Sequence, residues 1–200
     1  MVGIEVALRA SGISRIAGVD EAGRGPCAGP LVVAAVILGD ADSPLLARVR
    51  DSKALSGRIR EELFDVITNE ALSYSIVEIS PAEIDLHGLH KSNLEGMRRA
   101  IQALTLAPEY VLTDGYAIEG LAIPSLGVWK GDQVSLSISA ASILAKVYRD
   151  RIMVTMDLNY PGYGFARHKG YITAAHTVAL KKFGTTEIHR KSFSNIAALL

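Results

Sequence analysis

Three places in the 200-residue chain bring a carboxylate to the end of an apolar run. Asp20 and Glu21 follow Ile16-Ala17-Gly18-Val19, Asp114 follows Tyr110-Val111-Leu112-Thr113, and Asp132 follows Leu126-Gly127-Val128-Trp129 by way of Lys130-Gly131. Adjacent ionised acids repel, so one of them holds its proton more tightly or the pair takes up a cation. Four carboxylates from three separate segments meeting at one rim form an oxygen-rich set of the kind that suits Mg²⁺ or Mn²⁺. Two such ions roughly 3.5–4 Å apart clamp the attacking and leaving oxygens of a phosphodiester. Taken singly, Asp114 or Asp132 is as well explained as a loop cap. Taken together, the four point to divalent-cation chemistry.

These acids need a scaffold that delivers them to one edge. Pro30–Leu38 (PLVVAAVIL) is an unbroken, valine-rich apolar run, the signature of a strand buried on both faces. Ile16–Asp20 precedes it as a first strand, with the GRGPCAG turn between them. Tyr74–Ile79 alternates and reads as a third strand; Tyr110–Gly115 and Leu126–Lys130 are a fourth and a fifth. Ser56 is placed to cap a helix over Arg58–Glu70. Ser80-Pro81-Ala82-Glu83 has the form of a capping box, and one long helix is expected from there to about Leu106. Further helices are expected over Val134–Leu158, with a small-residue face of Ser137, Ala140, Ala141 and Ala145, over Thr173–Phe183, and briefly after Ser192. The fold class is α/β: a mixed five-stranded sheet with helices on both faces and a helical C-terminal portion, about 160–200, leaning on a single domain spanning 1–200. In open α/β sheets ligands bind outside the strand ends, where the acids lie.

Strand geometry sets a condition. Successive side chains in a strand face opposite ways, so Asp20 and Glu21 enter one site only if the strand is ending there. Asp20 is then the bridging ligand, and Glu21 reaches in from the turn or offers its backbone carbonyl.

Composition excludes several classes. Hydrophobic residues make up 49% and charged residues 21%, which is ordinary for a globular domain. The longest apolar run is far short of a membrane span, and the N-terminus lacks a secretory pattern, so a cytoplasmic protein without membrane contact is expected. The single cysteine, Cys27, rules out an internal disulfide and reads as a small core residue. Net charge is zero, yet residues 1–129 carry 11 Lys+Arg and 17 Asp+Glu, whereas residues 130–200 carry 10 and 4. An acidic part for cations and a basic part for a polyanion fit that split. Near the C-terminus Arg167, Lys169, Lys181, Lys182, Arg190 and Lys191 face only Glu187, which marks a cradle for a nucleic-acid duplex. His87 and His90 lack partners for a zinc site.

Six motifs in order carry a family resemblance: Gly18-Val19-Asp20-Glu21-Ala22-Gly23-Arg24-Gly25-Pro26, Asp51-Ser52-Lys53, Thr113-Asp114-Gly115, Lys130-Gly131-Asp132, Ala140-Ala141-Ser142-Ile143-Leu144-Ala145-Lys146-Val147 and His168-Lys169-Gly170-Tyr171. Over about residues 14–195 the chain resembles bacterial ribonuclease HII. The resemblance implies a ribonuclease H-like fold and metal-dependent cleavage of the RNA strand of RNA–DNA hybrids. It also implies incision at single ribonucleotides in duplex DNA, leaving 3′-hydroxyl and 5′-phosphate ends. By that resemblance Asp20, Glu21, Asp114 and Asp132 form the catalytic metal-binding set for two Mg²⁺ or Mn²⁺ ions. The expected partners are hybrid and ribonucleotide-containing duplexes, bound by a monomer. The chain stops soon after the last motif, so a longer C-terminal extension found in some relatives is expected to be missing.

An enzyme for such substrates distinguishes ribose from deoxyribose through the 2′-hydroxyl. The Gly23-Arg24-Gly25 turn lets backbone groups approach a sugar closely, and Tyr171 offers a flat ring and a hydroxyl; the resemblance assigns both to the ribonucleotide junction. Arg24, Lys53, Lys146 and Lys169 are candidates for backbone phosphates. Three other readings are weighed against this one. The segment Gly23–Ala28 matches a dinucleotide-binding fingerprint, but that needs a helix after the glycines, where a strand is expected. Another metal nuclease or strand transferase of the same fold would share the acids but not the GRG turn and Tyr171. A non-catalytic nucleic-acid-binding module would set a bare acidic cluster against a polyanion.

Overall fold

In the computed structural model, residues 3–39, 46, 48–49 and 55–200 are described. Asp51, Ser52 and Lys53 lie outside them. Five strands, β1 (Ile16–Ala22), β2 (Leu31–Leu38), β3 (Ala71–Ile79), β4 (Tyr110–Asp114) and β5 (Ser125–Val128), form one sheet in the order β3-β2-β1-β4-β5. β1 runs antiparallel to β2 and β2 to β3, while β4 is parallel to both β1 and β5. All eight residues of β2 are buried, as an apolar run in the interior of a sheet requires. β3, at an edge, alternates more openly between buried and exposed positions.

A short helix, α1 (Ile4–Ala10), precedes the sheet, whose two faces are covered by different helices. On one, Val32, Ala34 and Val36 pack with Leu63 and Ile67 of α2 (Gly57–Glu70) and with Ala140, Ala141 and Leu144 of α6 (Leu136–Asn159). On the other, Val33, Ala35 and Ile37 pack with Met97, Ala100 and Ile101 of α4 (Leu89–Gln102). The small-residue face of α6 has a clear physical role: a Cβ on Gly18 of β1 would fall 2.0 Å from the Ser137 backbone carbon. Helix and strand backbones are in direct contact there, and only glycine fits.

Two expectations are corrected. The helix expected from Pro81 to about Leu106 is two helices, α3 (Pro81–His87) and α4, divided at Gly88, whose φ of 81° belongs to the left-handed region. The fifth strand stops at Val128, because Lys130 adopts φ 52° and opens the short helix α5 (Gly131–Val134). The caps read from sequence are present. Ser56 accepts the Ile59 N–H, and Ser80 and Glu83 form the reciprocal box. The strand after the GRG turn, β2, is where the dinucleotide-binding reading required a helix.

The segment after α6 folds around its own cluster. Cys27, Ala28 and Met153 pack with Tyr163, Phe165, Leu180 and Ile196, which joins the β1–β2 loop to α7 (Phe165–His168), α8 (Ala174–Phe183) and α9 (Ser194–Ala197). Among the described residues no helix is long and apolar enough to cross a membrane.

Candidate active site

Parallel pairing of β1 and β4 matches Val19 with Thr113, so the next residues of the two strands, Asp20 and Asp114, are neighbours at the same sheet edge. Asp114 accepts the Gly131 N–H through Oδ1 at 2.7 Å. This ties the end of β4 to the first turn of α5, where Asp132 is buried. Asp20 itself is buried, accepts the Glu21 N–H at 2.7 Å and is hydrogen-bonded by the Ser142 hydroxyl. Burial pushes its carboxyl well above the usual carboxylate range, and the charges of Glu21 and Asp114 push it further. Glu21 is also raised, first by burial and also by Asp114, with Arg24 opposing.

The strand condition is not met in the expected way. β1 does not end at Glu21; it continues to Ala22, which pairs with Val32. Asp20 pairs with Ala34 on the α6 face, and Glu21 with Val33 on the α4 face. The two carboxylates therefore straddle the end of the sheet. Ser142 from α6 attends Asp20, and Asn93, wholly buried in α4, attends Glu21. Among the described residues no three acid, imidazole or thiol groups already stand together as a metal cage.

The GRG turn borders the same edge. Gly23 has φ 100°, and a Cβ there would lie 2.1 Å from Arg149 Nε, so backbone conformation and crowding both call for glycine. Gly25 lies under Tyr171: its Cβ would be 3.2 Å from the tyrosine Cε1. Glu21, the GRG backbone, Ser142, Lys146 and Tyr171 line one open cleft of about 440 Å³, with Arg60 of α2 on its far wall. Arg24 is not splayed toward solvent. Its guanidinium meets Glu21 Oε1 at 3.4 Å and Tyr116 Oη at 3.0 Å, and lies over the Tyr116 ring. Lys146 pairs with Asp150 at 2.7 Å, and the Lys169 ammonium contacts the Asp150 carbonyl at 3.4 Å.

One expectation about charge is overturned. Arg190, counted toward a duplex cradle, is fully buried. It donates Nε and Nη2 to the Gly29 carbonyl and Nη1 to the Arg24 carbonyl. Arg149, also fully buried, donates to the carbonyls of Pro30, Ala28 and Lys169. Burial pushes Arg190 down to about 9, helped by Arg149, and pushes Arg149 down to about 10. The two guanidiniums are internal staples that shape the GRG loop and the loop carrying Lys169. Arg167, Lys181, Lys182 and Lys191 remain exposed. Ser142, Asn93 and Tyr116 are the site neighbours that sequence reasoning missed as individual residues; Ser142 alone lay within a motif.

Comparison with known proteins identifies the family. The family model described as Ribonuclease HII matches residues 17–196. A ribonuclease HII of Rhodococcus opacus is 56% identical over 98% of this chain and 87% of its own length. That of Mycobacterium avium is 56% identical over 96% of this chain and 84% of its own. Among solved structures, the ribonuclease H2 of Pyrococcus horikoshii superposes with a TM-score of 0.80 at 28% identity, covering 92% of this chain and 96% of that one. The mixed sheet is thus the ribonuclease H-like fold, and the chain belongs to the ribonuclease HII family of endoribonucleases, which act on the RNA strand of RNA–DNA hybrids.

Proposed function

We propose that the protein cleaves the RNA strand of hybrids and also incises duplex DNA at single embedded ribonucleotides, leaving 3′-hydroxyl and 5′-phosphate ends. The observation that carries this reading is the adjacency of a mutually repelling acid set, Asp20 buried with Glu21 and Asp114 half-buried beside it, to a cleft lined by Gly23, Arg24, Gly25 and Tyr171. Asp20, Glu21, Asp114 and Asp132 are the residues that would hold divalent cations, two of them, as Mg²⁺ or Mn²⁺. The donors fit: they are hard oxygens, and the raised Asp20 carboxyl marks negative charge crowded by Glu21 and Asp114. When bound, the cations supply charge stabilisation at the scissile phosphate and an activated water.

The chain's own groups do the rest. Ser142 and the Glu21 N–H fix the Asp20 carboxylate, and the Gly131 N–H fixes Asp114. Arg24 holds Glu21 in place on the opposite face, with the Asn93 amide buried near it. Gly23, Arg24 and Gly25 bring backbone groups toward a 2′-hydroxyl, the Arg24 carbonyl itself being taken by Arg190, with the Tyr171 ring, half exposed over Gly25, against the neighbouring sugar. Lys146 and Lys169, beside the cleft, meet flanking phosphates, and the exposed cations of residues 160–200 extend the footprint. Lys53 is assigned to the same role from its motif alone.

The test uses a duplex with one internal ribonucleotide, with and without Mg²⁺ or Mn²⁺. Wild type is expected to cut at the ribonucleotide only with the ion, and Asp114→Asn to lose about a thousandfold in rate, ~4 kcal/mol of transition-state stabilisation. Cleavage of an all-DNA duplex at a similar rate would favour a general nuclease of the same fold. Ion-independent cutting would end the metal reading.

A further inference from the structure

Beneath Tyr171 lie three imidazoles that the cleavage reaction as described leaves unused. His168, His176 and His189 come from α7, from α8 and from the chain after α8. His176 and His189 are wholly buried, and His168 stacks on His176 at 4.4 Å with an interplanar angle of 16°. Their partners settle which nitrogen carries each proton. The Thr186 N–H donates to His189 Nδ1 at 2.9 Å, so that nitrogen is bare and the His189 proton is on Nε2. His189 Nε2 stands 3.1 Å from His176 Nε2, which must therefore accept. The His176 proton is then on Nδ1, 3.0 Å from the Tyr171 carbonyl, which can only accept. The assignment runs in the same sense from either end, so the two rings are neutral and of opposite tautomer. His168 is fixed alike: Nε2 donates to the Tyr163 carbonyl at 2.8 Å, and Nδ1 accepts the Gly170 N–H at 3.2 Å.

We propose that this directed chain, from Thr186 through His189 and His176 to the Tyr171 carbonyl, is a positioning device that sets Tyr171 over Gly25. Three features support it. The Tyr171 side chain is half exposed, so its own packing leaves it free to swing, whereas its backbone is held from two sides, by His176 at the carbonyl and by the His168 carbonyl at the N–H. Cys27 hydrogen-bonds Gly170 through its N–H and carries the Arg190 N–H on its carbonyl, so the GRG-side loop and the Tyr171 loop share one frame. The chain also has a sense. A third proton placed between the two Nε2 atoms would set N–H against N–H and break the link between the rings, so the chain is continuous from Thr186 to Tyr171 only while both rings are neutral. Other ionisable groups facing the cluster are the Cys27 thiol, 3.9 Å from His176 Nδ1, and Tyr163, whose ring lies 5.6 Å from that of His189.

This rests on the reading of Tyr171 as a substrate contact, and the test separates the two. His176→Phe removes the bond; His176→Asn keeps a donor at the Nδ position. With the folded fraction verified for each variant at the assay temperature, His176→Phe is expected to lower kcat/KM on the single-ribonucleotide duplex by about tenfold or more, and His176→Asn to recover to within about threefold of wild type. In a Tyr171→Ala background the same His176→Phe change is expected to cost under about twofold, because its route of action is gone. Equal losses in both backgrounds would overturn the inference and leave a plain core role. If Tyr171→Ala is itself silent, the substrate reading fails, and the positioning claim is judged by nuclear magnetic resonance on the wild-type protein. There the expected result is His176 protonated on Nδ1 and His189 on Nε2, with the Tyr171 amide resonance shifting in His176→Phe. The opposite tautomers, or an unmoved Tyr171, would overturn it.

Discussion

The acid edge should cost the metal-free fold stability, and Asp20→Asn exposes that cost. Asp20 is buried beside two like charges, and its two hydrogen bonds, from the Glu21 N–H and the Ser142 hydroxyl, do not cancel the rise in its proton affinity. Asparagine keeps an oxygen for the Glu21 N–H and removes the charge. A carboxyl whose folded-state pKa is raised binds more protons folded than unfolded, so the metal-free fold loses stability as pH climbs above the ordinary value of 3.8. At neutral pH, relief of one repelling buried carboxylate is worth about 1–2 kcal/mol, the scale of a buried polar group left poorly satisfied. For a chain of this size that is a rise in melting temperature of about 2–8 °C. Calorimetry in chelator and then in millimolar Mg²⁺ or Mn²⁺ is the assay, paired with cleavage rates. The expected pattern is a variant more stable than wild type without the ion, losing that advantage with it because only wild type gains from binding, and inactive throughout. A lower melting temperature in chelator, or the same difference with and without the ion, would refute the claim that uncompensated charge at Asp20 waits for a cation.

Arg190→Met should cost about 1–3 kcal/mol, since the Gly29 and Arg24 carbonyls lose a buried donor; Arg190→Lys should not restore it, because one ammonium cannot reproduce the fork, and urea titration of both variants checks this. Gly18→Ala should abolish soluble expression, as the new Cβ meets the α6 backbone, whereas Gly12→Ala, which has a φ of 88° but open space around it, should cost only about 1 kcal/mol. His189, pushed down to about 4 by burial and then by His176, takes up its proton more readily unfolded than folded. Its contribution is present above the ordinary 6.5 and is lost as pH falls from there toward 4, by up to about 3 kcal/mol relative to His189→Gln, which does not titrate. Parallel melts of the two proteins across that range read the difference.

The features legible in the sequence are those set by runs of residues. The nine-residue apolar stretch marks β2, alternation marks β3, short apolar runs ending in acid mark β1, β4 and β5, helical spacing marks the larger helices, and a glycine turn between two apolar strands foretells the hairpin β1–β2. The four acids stand out because each ends such a run. What stayed hidden depends on a single tertiary partner. Gly88 looks like any glycine in a helical pattern until its positive φ divides α3 from α4. Asn93 sits on the apolar face of α4 with nothing in its local sequence to distinguish a misplaced polar residue from one that attends Glu21.

Arginine marks the boundary of what counting charges can establish. Residues 160–200 read as a basic surface for a polyanion, and Arg167, Lys181, Lys182 and Lys191 are indeed exposed. Arg190 is in the same run, yet it is turned wholly inward onto carbonyls of the β1–β2 loop. A guanidinium has five donors and no acceptor, so a loop whose backbone carbonyls point inward can satisfy it without any carboxylate. Such a loop is produced by the GRG turn, where the conformation of Gly23 and the crowding by Arg149 deny the chain regular pairing. The irregular backbone proposed to meet the substrate is held by Arg149 and Arg190 from within, and the net charge of a segment carries no trace of that division.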